Sequence, residues 1–587
     1  TFTFSFIEPR PVQGVRFYQS SEVYYSTAYI IEADTDGQGN FDTVLAEATE
    51  FPINQWVEHS WEPMAVHALR FRSVQGVSEG RRAHPVLAEF QILGMLQPDD
   101  VRVAGERGIA VPRLPQVREI SRDTHLVIDG RQPAVLAPDE EAYQPAVEAL
   151  MQGLAAAGVQ AEKVSDIEAA DPATRTVICL GSMLNNPLIE RLYWNRYTFA
   201  DALVPDVGQY LLHTVYDPYP YNGDNNIIII GCSNSEGAMP GVRRLLEALD
   251  GQIMPYLVEC GPIAPVSDEI AQRVASEQPD PTFLDLATNV NLYLKTGCDA
   301  YAQKAVRNME IMADMYQPDG ERYVPIGSST MRKVPWPEET SSWAIQCAWD
   351  AFEYYPGITD QLRLDFTNAM LQYTRDLVSH VSGYSQIGTP NIQFYNHTTF
   401  PLIGVHFGAR YFNRYYGLAD MPEKLEKARV CLMTQSGMWR AFEDADAYLT
   451  YATEHSQIYS LAENEMHYFE TGLINKYADY IVGTCDNQGL GSGFGDSSLS
   501  VWPPTFPPKV LPLALWWSRD GGYQWLMDHY MGTGWRNPYE QGVEPVRPDR
   551  FTGVNVFWID PPIYDGIQAY PTYNEPFVKA EVPVDES

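Results

Sequence analysis

The sequence predicts a multidomain protein in which a β-sandwich is followed by a small α/β domain, an (α/α) toroid and the start of a further β-domain. Three observations support this order. The chain of 587 residues is too long for one compact core, and its 45% apolar content is far from that of a disordered chain. The spacing of apolar residues also changes along the chain, from strand alternation, to alternating strands and helices, to the helical period.

Residues 1–97 are predicted to form the sandwich. Segments 14–18, 28–33 and 68–73 alternate in the manner of strands, and turn signals separate them. A strand ending Ile31-Glu-Ala-Asp-Thr-Asp-Gly, a central Trp and a closing strand Leu87-Ala-Glu-Phe-Gln-Ile-Leu-Gly resemble a discoidin-like domain.

The loop from Asp34 to Asp42 has the oxygen-donor spacing of a calcium loop, with Gly39 at the position of the sharp turn. However, Leu45 stands where a calcium loop needs a bidentate Glu. An ordinary hairpin turn is the favoured interpretation.

Residues 98–117 are predicted to be a linker, and residues 118–265 a three-layer α/β domain. Strands are expected at 124–129, 176–181 and 226–231, and helices at 141–158 and 238–249. No GxGxxG follows a strand, which argues against a dinucleotide-binding fold. The strand Ile227-Ile-Ile-Ile-Gly-Cys and the helix after it resemble the accessory N-terminal domain of alpha-glucuronidases, and this resemblance implies a structural spacer.

Residues 281–540 are predicted to form the toroid, because apolar residues recur there at i, i+3, i+4 and i+7. Helical segments are expected at 285–316, 341–355, 361–381, 400–416, 456–482 and 521–531. The long connections between such helices would line a cleft at one end of the toroid. Residues 541–587 are rich in Pro and aromatic residues and are interpreted as the truncated start of a C-terminal β-domain.

The composition argues against several kinds of partner and site. The 40 Lys and Arg against 76 Asp and Glu give a net charge of −36, which disfavours binding to nucleic acid phosphates. The longest apolar runs fall far short of the roughly 20 residues of a membrane span. Seven scattered cysteines without a CxxC pair indicate buried free thiols, and no cofactor or metal is expected. The opening at Thr1 reads as the interior of a longer precursor, and we expect a secreted or periplasmic protein.

A polar and aromatic loop before the helix near Thr399 is the richest candidate for chemistry. It contains Gln393, Tyr395, Asn396 and His397. An amide beside an imidazole at a helix start can bind a carboxylate, because the amide donates to an oxygen and the free backbone N–H groups favour negative charge. The structural alternative is that Asn396 is an N-cap and His397 an ordinary surface or core histidine.

Three motifs in order resemble the heparinase II/III-like and oligoalginate polysaccharide lyases. They are Asn396-His397, the acidic and Tyr-rich stretch 442–459, and Gly493-Phe-Gly-Asp-Ser. The resemblance implies that Asn396 and His397 neutralise a uronate carboxylate and that a later Tyr acts as base and acid. Tyr451, 55 positions after Asn396, is the best match, and Tyr448 and Tyr459 are its competitors.

Elimination chemistry explains why these residue types are needed. Removal of the C5 proton of a uronate becomes feasible when the adjacent carboxylate is neutralised. A phenol with a pKa of about 10 in water must be acidified by nearby donors before it removes that proton and protonates the leaving oxygen. His455 lies four residues after Tyr451, so on a helix it would face the same side and lower the Tyr pKa or act as the base itself. A histidine that only covers the helix is the alternative.

The sequence therefore predicts a polysaccharide lyase that cleaves a uronic-acid-containing polysaccharide by β-elimination and leaves an unsaturated uronate end. The residues predicted to bind this anionic polymer are Gln393, Tyr395, Tyr448, Tyr459, Trp336, Arg410 and Arg440. One alternative is a toroid glycoside hydrolase with a carboxylate pair drawn from Glu338, Glu339, Glu443, Asp444 and Asp496. The other is a carbohydrate-binding protein without catalysis.

The acidity of the chain is compatible with an anionic substrate. Residues 281–540 contain 18 Lys and Arg and 29 Asp and Glu, a net charge of −11, so the other 327 residues carry −25. At physiological ionic strength the Debye length is about 8 Å, and distant charges are largely screened. A cleft that is locally rich in donors can therefore still hold an anion.

Overall fold

The computed structural model describes the chain in separate stretches. These are residues 2–19, 25–50, 52, 55–77, 87–94, 101–102, 113–201, 204–221, 223, 225–262, 266–279, 283–315, 346–381, 383–389, 396–436, 446–484 and 510–531. The predicted start of a C-terminal β-domain, 541–587, lies outside them. The chain divides into two compact units, one made of residues 1–116, 311–336 and 364–382, the other of 117–310, 337–363 and 383–587.

The first unit contains one antiparallel sheet. Its strands are β1 (Phe2–Gln19), β2 (Tyr25–Asp34), β3 (Thr43–Ala48), β4 (Trp56–Val77), β5 (Leu87–Gly94) and β6 (Val101–Arg102). They lie in the order β3-β2-β4-β1-β5, and β6 also pairs with β1. Val15, Phe17, Ile31 and Phe71 are fully buried on one side of the sheet.

The strands expected from alternation in this unit are confirmed, but their division into two sheets is not seen in the described stretches. Strands β1 and β4 pair with each other along most of their length, which joins all six strands into one sheet. Register shifts interrupt that pairing between Ser5 and Arg10 and between Val12 and Gly14. Such bulges bend long strands. The described strands therefore form one bent sheet, whereas two sheets were predicted.

The acidic loop after β2 is a turn in which backbone N–H groups donate to the carboxylate of Asp34. Asp34 Oδ1 accepts the N–H of Gly37 at 2.8 Å, and Oδ2 accepts the N–H of Gly39 at 3.0 Å. Both glycines have positive φ, +72° and +79°, which a side chain would disfavour. Burial raises the pKa of Asp34, but the backbone donors outweigh it and the pKa lies below its usual value. Because both Asp34 oxygens already have backbone donors, the loop fits the hairpin turn better than a calcium loop.

The second unit begins with a mixed six-stranded sheet. Its strands are β8 (Ala134–Leu136), β9 (Glu162–Val164), β10 (Val177–Gly181), β11 (Tyr210–Val215), β12 (Ile227–Gly231) and β14 (Val258–Gly261), in the order β14-β11-β12-β10-β8-β9. Strands β9, β8, β10 and β12 are parallel, whereas β11 is antiparallel to both of its neighbours. The strands predicted at 176–181 and 226–231 are confirmed.

The strand predicted at 124–129 is wrong. Only β7 (Thr124–His125) is extended, and it pairs with β13 (Ile253–Met254) outside the main sheet. The chain then turns at Asp129 and Gly130, which both have positive φ, so the first strand of the main sheet is β8 instead. Asp and Gly are residues that tolerate this conformation, which explains why the strand ends early.

Helices cover both faces of this sheet, which confirms the three layers. Helices α1 (Gln144–Ala156) and α4 (Ala238–Ala248) pack over Ile228 and Ile230, and α2 (Ile167–Ala170) and α3 (Pro187–Trp194) over Ile227 and Ile229. All four Ile side chains are fully buried. A continuous apolar run is typical of a strand that is covered on both faces.

The rest of the described chain is helical. Its helices are α5 (Asp268–Ser276), α6 (Phe283–Thr296), α7 (Asp299–Met315), α8 (Asp360–His380), α9 (Asn396–Tyr416), α10 (Met421–Ser436), α11 (Asp446–Glu463), α12 (His467–Glu470), α13 (Leu473–Thr484), α14 (Val510–Ser518) and α15 (Gly521–Met531), with a further helical segment at 346–352. Helices α5, α10 and α14 were not predicted.

Two of the predicted long helices are broken. The segment 285–316 divides into α6 and α7 at Gly297, and the segment 456–482 divides at Asn464 and Gly472. All three residues have positive φ, which ends a helix because left-handed backbone cannot continue a right-handed one.

The cysteines of the described stretches are free, as expected. Cys179, Cys232, Cys260, Cys347 and Cys431 are buried, and Cys298 is half-buried. The seventh, Cys485, lies outside these stretches. None of the helices in this part of the chain is long and apolar enough to cross a lipid bilayer.

Candidate functional site

Helices α9 and α11 run parallel to each other and pack side by side. Thr399 Oγ1 lies 3.2 Å from His455 Nδ1, and His406 Nε2 lies 3.1 Å from Glu463 Oε1. The residue numbers differ by 56 in the first pair and by 57 in the second. The contacts advance in the same direction on both helices, so the two helices keep a nearly constant offset along the interface.

The residues predicted for catalysis lie at the same end of this helix pair. Asn396 and His397 are the first two residues of α9, and His397 is exposed. Tyr451 lies in the second turn of α11. When the offset is continued toward the N-termini, the backbone at Tyr451 comes beside the start of α9. The side chains of Asn396, Tyr448 and Tyr451 lie outside the described part of the chain.

His455 is a packing residue between the two helices. Its side chain is fully buried, its Nδ1 faces Thr399, and its ring meets the ring of Phe400 edge-on with centroids 4.4 Å apart. A side chain in this position is shielded from solvent. Of the two roles predicted for His455, its burial favours support of a neighbouring residue over direct proton transfer.

The predicted sugar-binding residues fall into two groups. Arg410 and Tyr459 are buried in the wall of a large cavity toward the C-terminal ends of α9 and α11. Trp336, Gln393, Tyr395 and Arg440 lie outside the described residues, and so do all five carboxylates of the predicted hydrolase alternative.

Glu463 is the centre of a charged network at that C-terminal end. Its Oε1 accepts from His406 Nε2 and from Arg410 Nη1, each at 3.1 Å, and its Oε2 accepts from the Tyr219 hydroxyl. Burial would raise the pKa of Glu463, but His406, Arg410 and Tyr219 outweigh it and hold the pKa well below its usual range. Glu463 is therefore a carboxylate that only accepts, and His406 Nε2 carries the proton between them.

Arg410 is committed to this network and is not a free anchor for a ligand. It also donates to Asn195 Oδ1 at 2.8 Å and lies over the ring of Tyr219, 4.1 Å from its centroid. Asn195 and Tyr219 belong to the α/β domain, so Arg410 joins this domain to α9. Burial would lower the pKa of Arg410, but Glu463 outweighs it and raises the pKa.

A second charged cluster surrounds Arg118, where the chain enters the α/β domain. Arg118 pairs with Glu353 and lies over the ring of Tyr415 at 3.4 Å from its centroid. Asp217 accepts from Arg414 Nη2 and lies 3.7 Å from Arg118 Nη1. Burial raises the pKa of Glu353 even though Arg118 opposes this effect. Sequence reasoning missed this cluster, because its members come from distant parts of the chain.

The two clusters line one cavity of about 1480 Å³. Its walls are the segment 118–128, the sheet edge at Thr176, Asp217 and Asn226, and the facing sides of α9, α10 and α11. We call it the interdomain cleft. Four tyrosines line it as well, Tyr219, Tyr354, Tyr415 and Tyr459. Two pairs of cleft residues are spaced four residues apart in sequence, His406 with Arg410 and Tyr459 with Glu463. This spacing could have predicted from the sequence that each pair lies on one face of a helix.

Tyr459 is poorly suited to act as a base. Burial, and the charges of Glu463 and Glu465, raise the pKa of Tyr459 above its ordinary value. Its ring meets His406 edge-on, with centroids 4.8 Å apart. A phenol in this environment holds its proton more tightly, so Tyr459 is better understood as part of the cleft wall.

No family model matches the chain, and no curated protein is significantly similar to it. Among the described residues, no group of three or more His, Cys, Asp and Glu side chains is arranged to hold a metal ion.

Proposed function

We propose that the protein is a polysaccharide lyase that cleaves a uronic-acid-containing polysaccharide by β-elimination. Asn396 and His397 bind and neutralise the uronate carboxylate. Tyr451 removes the C5 proton and then protonates the oxygen of the leaving sugar, which produces an unsaturated uronate at the new end. His455 supports this site from within the packed interface of α9 and α11.

One observation carries this proposal, the parallel packing of α9 on α11 with an offset of 56–57 residues. Asn396 and Tyr451 are 55 positions apart in sequence. This separation is close to the packing offset, which supports a pairing of the start of α9 with the second turn of α11. The proposal requires the amide and imidazole of one helix to contact the same sugar ring as the phenol of the other, because the base and the carboxylate binder act on one ring.

The packing of neighbouring helices supports the toroid that the proposal requires. Helix α10 follows α9 after a short connection and packs against both α9 and α11. Two parallel helices with a returning helix between them in sequence are the repeating unit of an (α/α) toroid. Substrate clefts in such folds are built from residues at helix ends and in connecting loops, where Asn396 and His397 lie.

The test is the rise in ultraviolet absorbance that an unsaturated uronate causes. Uronate polysaccharides are supplied as substrates, and Asn396→Ala is compared with the native protein. Loss of a donor that stabilises the developing charge is expected to lower the rate by about 10²–10³. Tyr451→Phe, which removes only the hydroxyl, is expected to lower it at least as much.

Asn475→Ala is the matched control. Asn475 is a half-buried residue of α13 whose amide contacts the Tyr523 hydroxyl at 3.5 Å, and its removal is expected to leave the rate unchanged. Unaltered activity of Asn396→Ala would refute the proposed roles. New reducing ends without absorbance would indicate the glycoside hydrolase, and binding without turnover the carbohydrate-binding protein.

A further inference from the structure

The interdomain cleft lies apart from the residues proposed for catalysis. On α9 it begins at His406, ten residues after Asn396, which corresponds to roughly 15 Å along a helix. The cleft extends from there to Tyr415. Its volume of about 1480 Å³ exceeds the roughly 300–1,000 Å³ of ordinary small-molecule sites. It therefore has room for an extended ligand that does not occupy the catalytic end.

The buried part of the cleft has donor capacity that its own carboxylates do not use. His406 and Arg410 share Glu463, and Arg118 and Arg414 both contact Asp217. Arg414 Nη1 has no hydrogen-bond partner within the described part of the chain, and the side chain is buried, with only 8% of its surface exposed. A buried donor without an acceptor is costly, so an oxygen atom of a ligand would be favoured there.

His406 offers a second open position. Its Nε2 donates to Glu463, whereas its Nδ1 has no partner among the residues described, and the side chain is 5% exposed. His406, Arg410 and Arg414 follow one another at intervals of four residues, so they form a stripe along one side of α9. A chain-like ligand along this stripe would meet open positions at His406 and Arg414, about two turns apart, while Arg410 between them stays bound to Glu463.

The acidic residues of the cleft are either paired with arginines in its interior, as Asp217 and Glu463 are, or lie at its rim. Glu119, Asp123 and Glu426 are exposed at the rim, where solvent and salt screen them. Glu426 is also paired with Arg429 through bonds of 2.9 and 2.8 Å. The uncharged part of the lining includes the half-buried Asn413, whose amide suits ligand hydroxyls.

We propose that the interdomain cleft is a second binding site for an acidic oligosaccharide, in which Arg414 Nη1 donates to a carboxylate or hydroxyl oxygen of the sugar chain and His406 Nδ1 forms a hydrogen bond with a sugar hydroxyl. This inference rests on the proposed function for the class of sugar, since a lyase acting on a uronate polymer meets such chains as substrate and product. The site would hold a segment of the polymer while another segment occupies the catalytic end.

Calorimetric titration of the full chain with short saturated oligouronates tests this inference. Asn413 is the residue to change, because it lines the cleft, is half-buried and makes no side-chain hydrogen bond with the described residues. Asn413→Asp adds a negative charge with almost no change of shape and is expected to weaken binding about tenfold or more by repulsion. Asn413→Trp is expected to block the site and remove one equivalent of bound ligand.

Gln152→Glu is the matched control, because Gln152 is exposed on α1 and does not line the cleft. It adds the same charge elsewhere and is expected to leave the affinity unchanged. A neutral oligosaccharide of equal length is expected to bind more weakly than the oligouronate and to be insensitive to Asn413→Asp.

The inference is overturned if no oligouronate of the panel binds outside the catalytic end, if both Asn413 variants bind as the native protein does, or if the neutral chain binds equally well. Failure of the proposed function is a separate result. A protein that yields no unsaturated product but loses oligouronate affinity on Asn413→Asp would refute the lyase and support the cleft. A protein that yields the unsaturated product but binds oligouronates equally well in both Asn413 variants would support the lyase and refute the cleft.

Discussion

The two halves of the α9 and α11 interface are built from different chemistry. In the first half, the buried His455 packs against the ring of Phe400 and contacts the Thr399 hydroxyl. In the second half, Glu463 binds His406 and Arg410, and all three have polar partners. The same two helices thus meet at a buried imidazole in one half and at an ionised carboxylate in the other.

This difference follows from what each half adjoins. The charged half meets the α/β domain, where Tyr219 and Asn195 complete the bonds of Glu463 and Arg410. Buried charges are destabilising unless they are paired and hydrogen-bonded. Helices α9 and α11 alone do not supply all the hydrogen-bond partners of Glu463 and Arg410. The second half of the interface therefore connects the helices to the α/β domain, whereas the contacts of His455 in the first half connect α9 to α11.

Removal of Glu463 is expected to have the largest effect. Glu463→Ala leaves Arg410 and His406 buried without their carboxylate, which is expected to cost about 3–5 kcal/mol of unfolding free energy. Urea unfolding of the full chain measures the change. Glu426→Ala removes a carboxylate whose ion pair with Arg429 is half exposed and is expected to cost at most about 1 kcal/mol. Equal losses in the two variants would contradict the charged network.

Removal of His455 is expected to have the next largest effect. His455→Ala opens a cavity beside Phe400 and is expected to cost about 2–4 kcal/mol, because the packed neighbours relax only in part. His467→Ala changes an exposed histidine at the start of α12 and is expected to stay within about 0.5 kcal/mol. Similar unfolding midpoints for the two histidine variants would show that His455 is not a packing residue.

The smallest effect is expected in the pH dependence of stability. The pKa of Glu463 is lowered in the folded protein, so its contribution is complete above the unfolded pKa of about 4.3 and is lost as the pH falls toward the folded value. Glu463→Gln lacks this dependence. The stability difference between the native protein and Glu463→Gln should be constant near neutral pH and shrink by about 1–2 kcal/mol below pH 4 or so. An unchanged difference in acid would contradict the network.

Much of the fold could be predicted because the sequence pattern of an element reflects its own burial. The four consecutive Ile at 227–230 predicted a strand covered on both faces, and the structure confirms it. Breaks in the helices at Asn464 and Gly472 were missed, because apolar periodicity continues across them and only the backbone conformation ends the helix. The short strand β8 was missed for a related reason, since three residues are too few to show a period.

The sites were harder to predict, because their geometry depends on pairs that are distant in sequence. Arg410 was expected to hold a sugar, but its partner Glu463 is 53 residues away and no local pattern joins them. Arg118 and Glu353 are 235 residues apart. By contrast, the separation of Asn396 and Tyr451 could be read from the sequence. Only the structure gives the packing offset of α9 and α11 with which this separation can be compared.

The constant offset between α9 and α11 also limits how this part of the chain can change length. One residue inserted inside either helix would rotate everything after it by about 100° and shift it by about 1.5 Å. Thr399 would then lose His455, or His406 would lose Glu463, whichever lies beyond the insertion. Variants of this chain that gain or lose residues between α9 and α11, outside the helices, avoid that rotation. Length polymorphism in this region is therefore expected to concentrate in connections and to spare the helices.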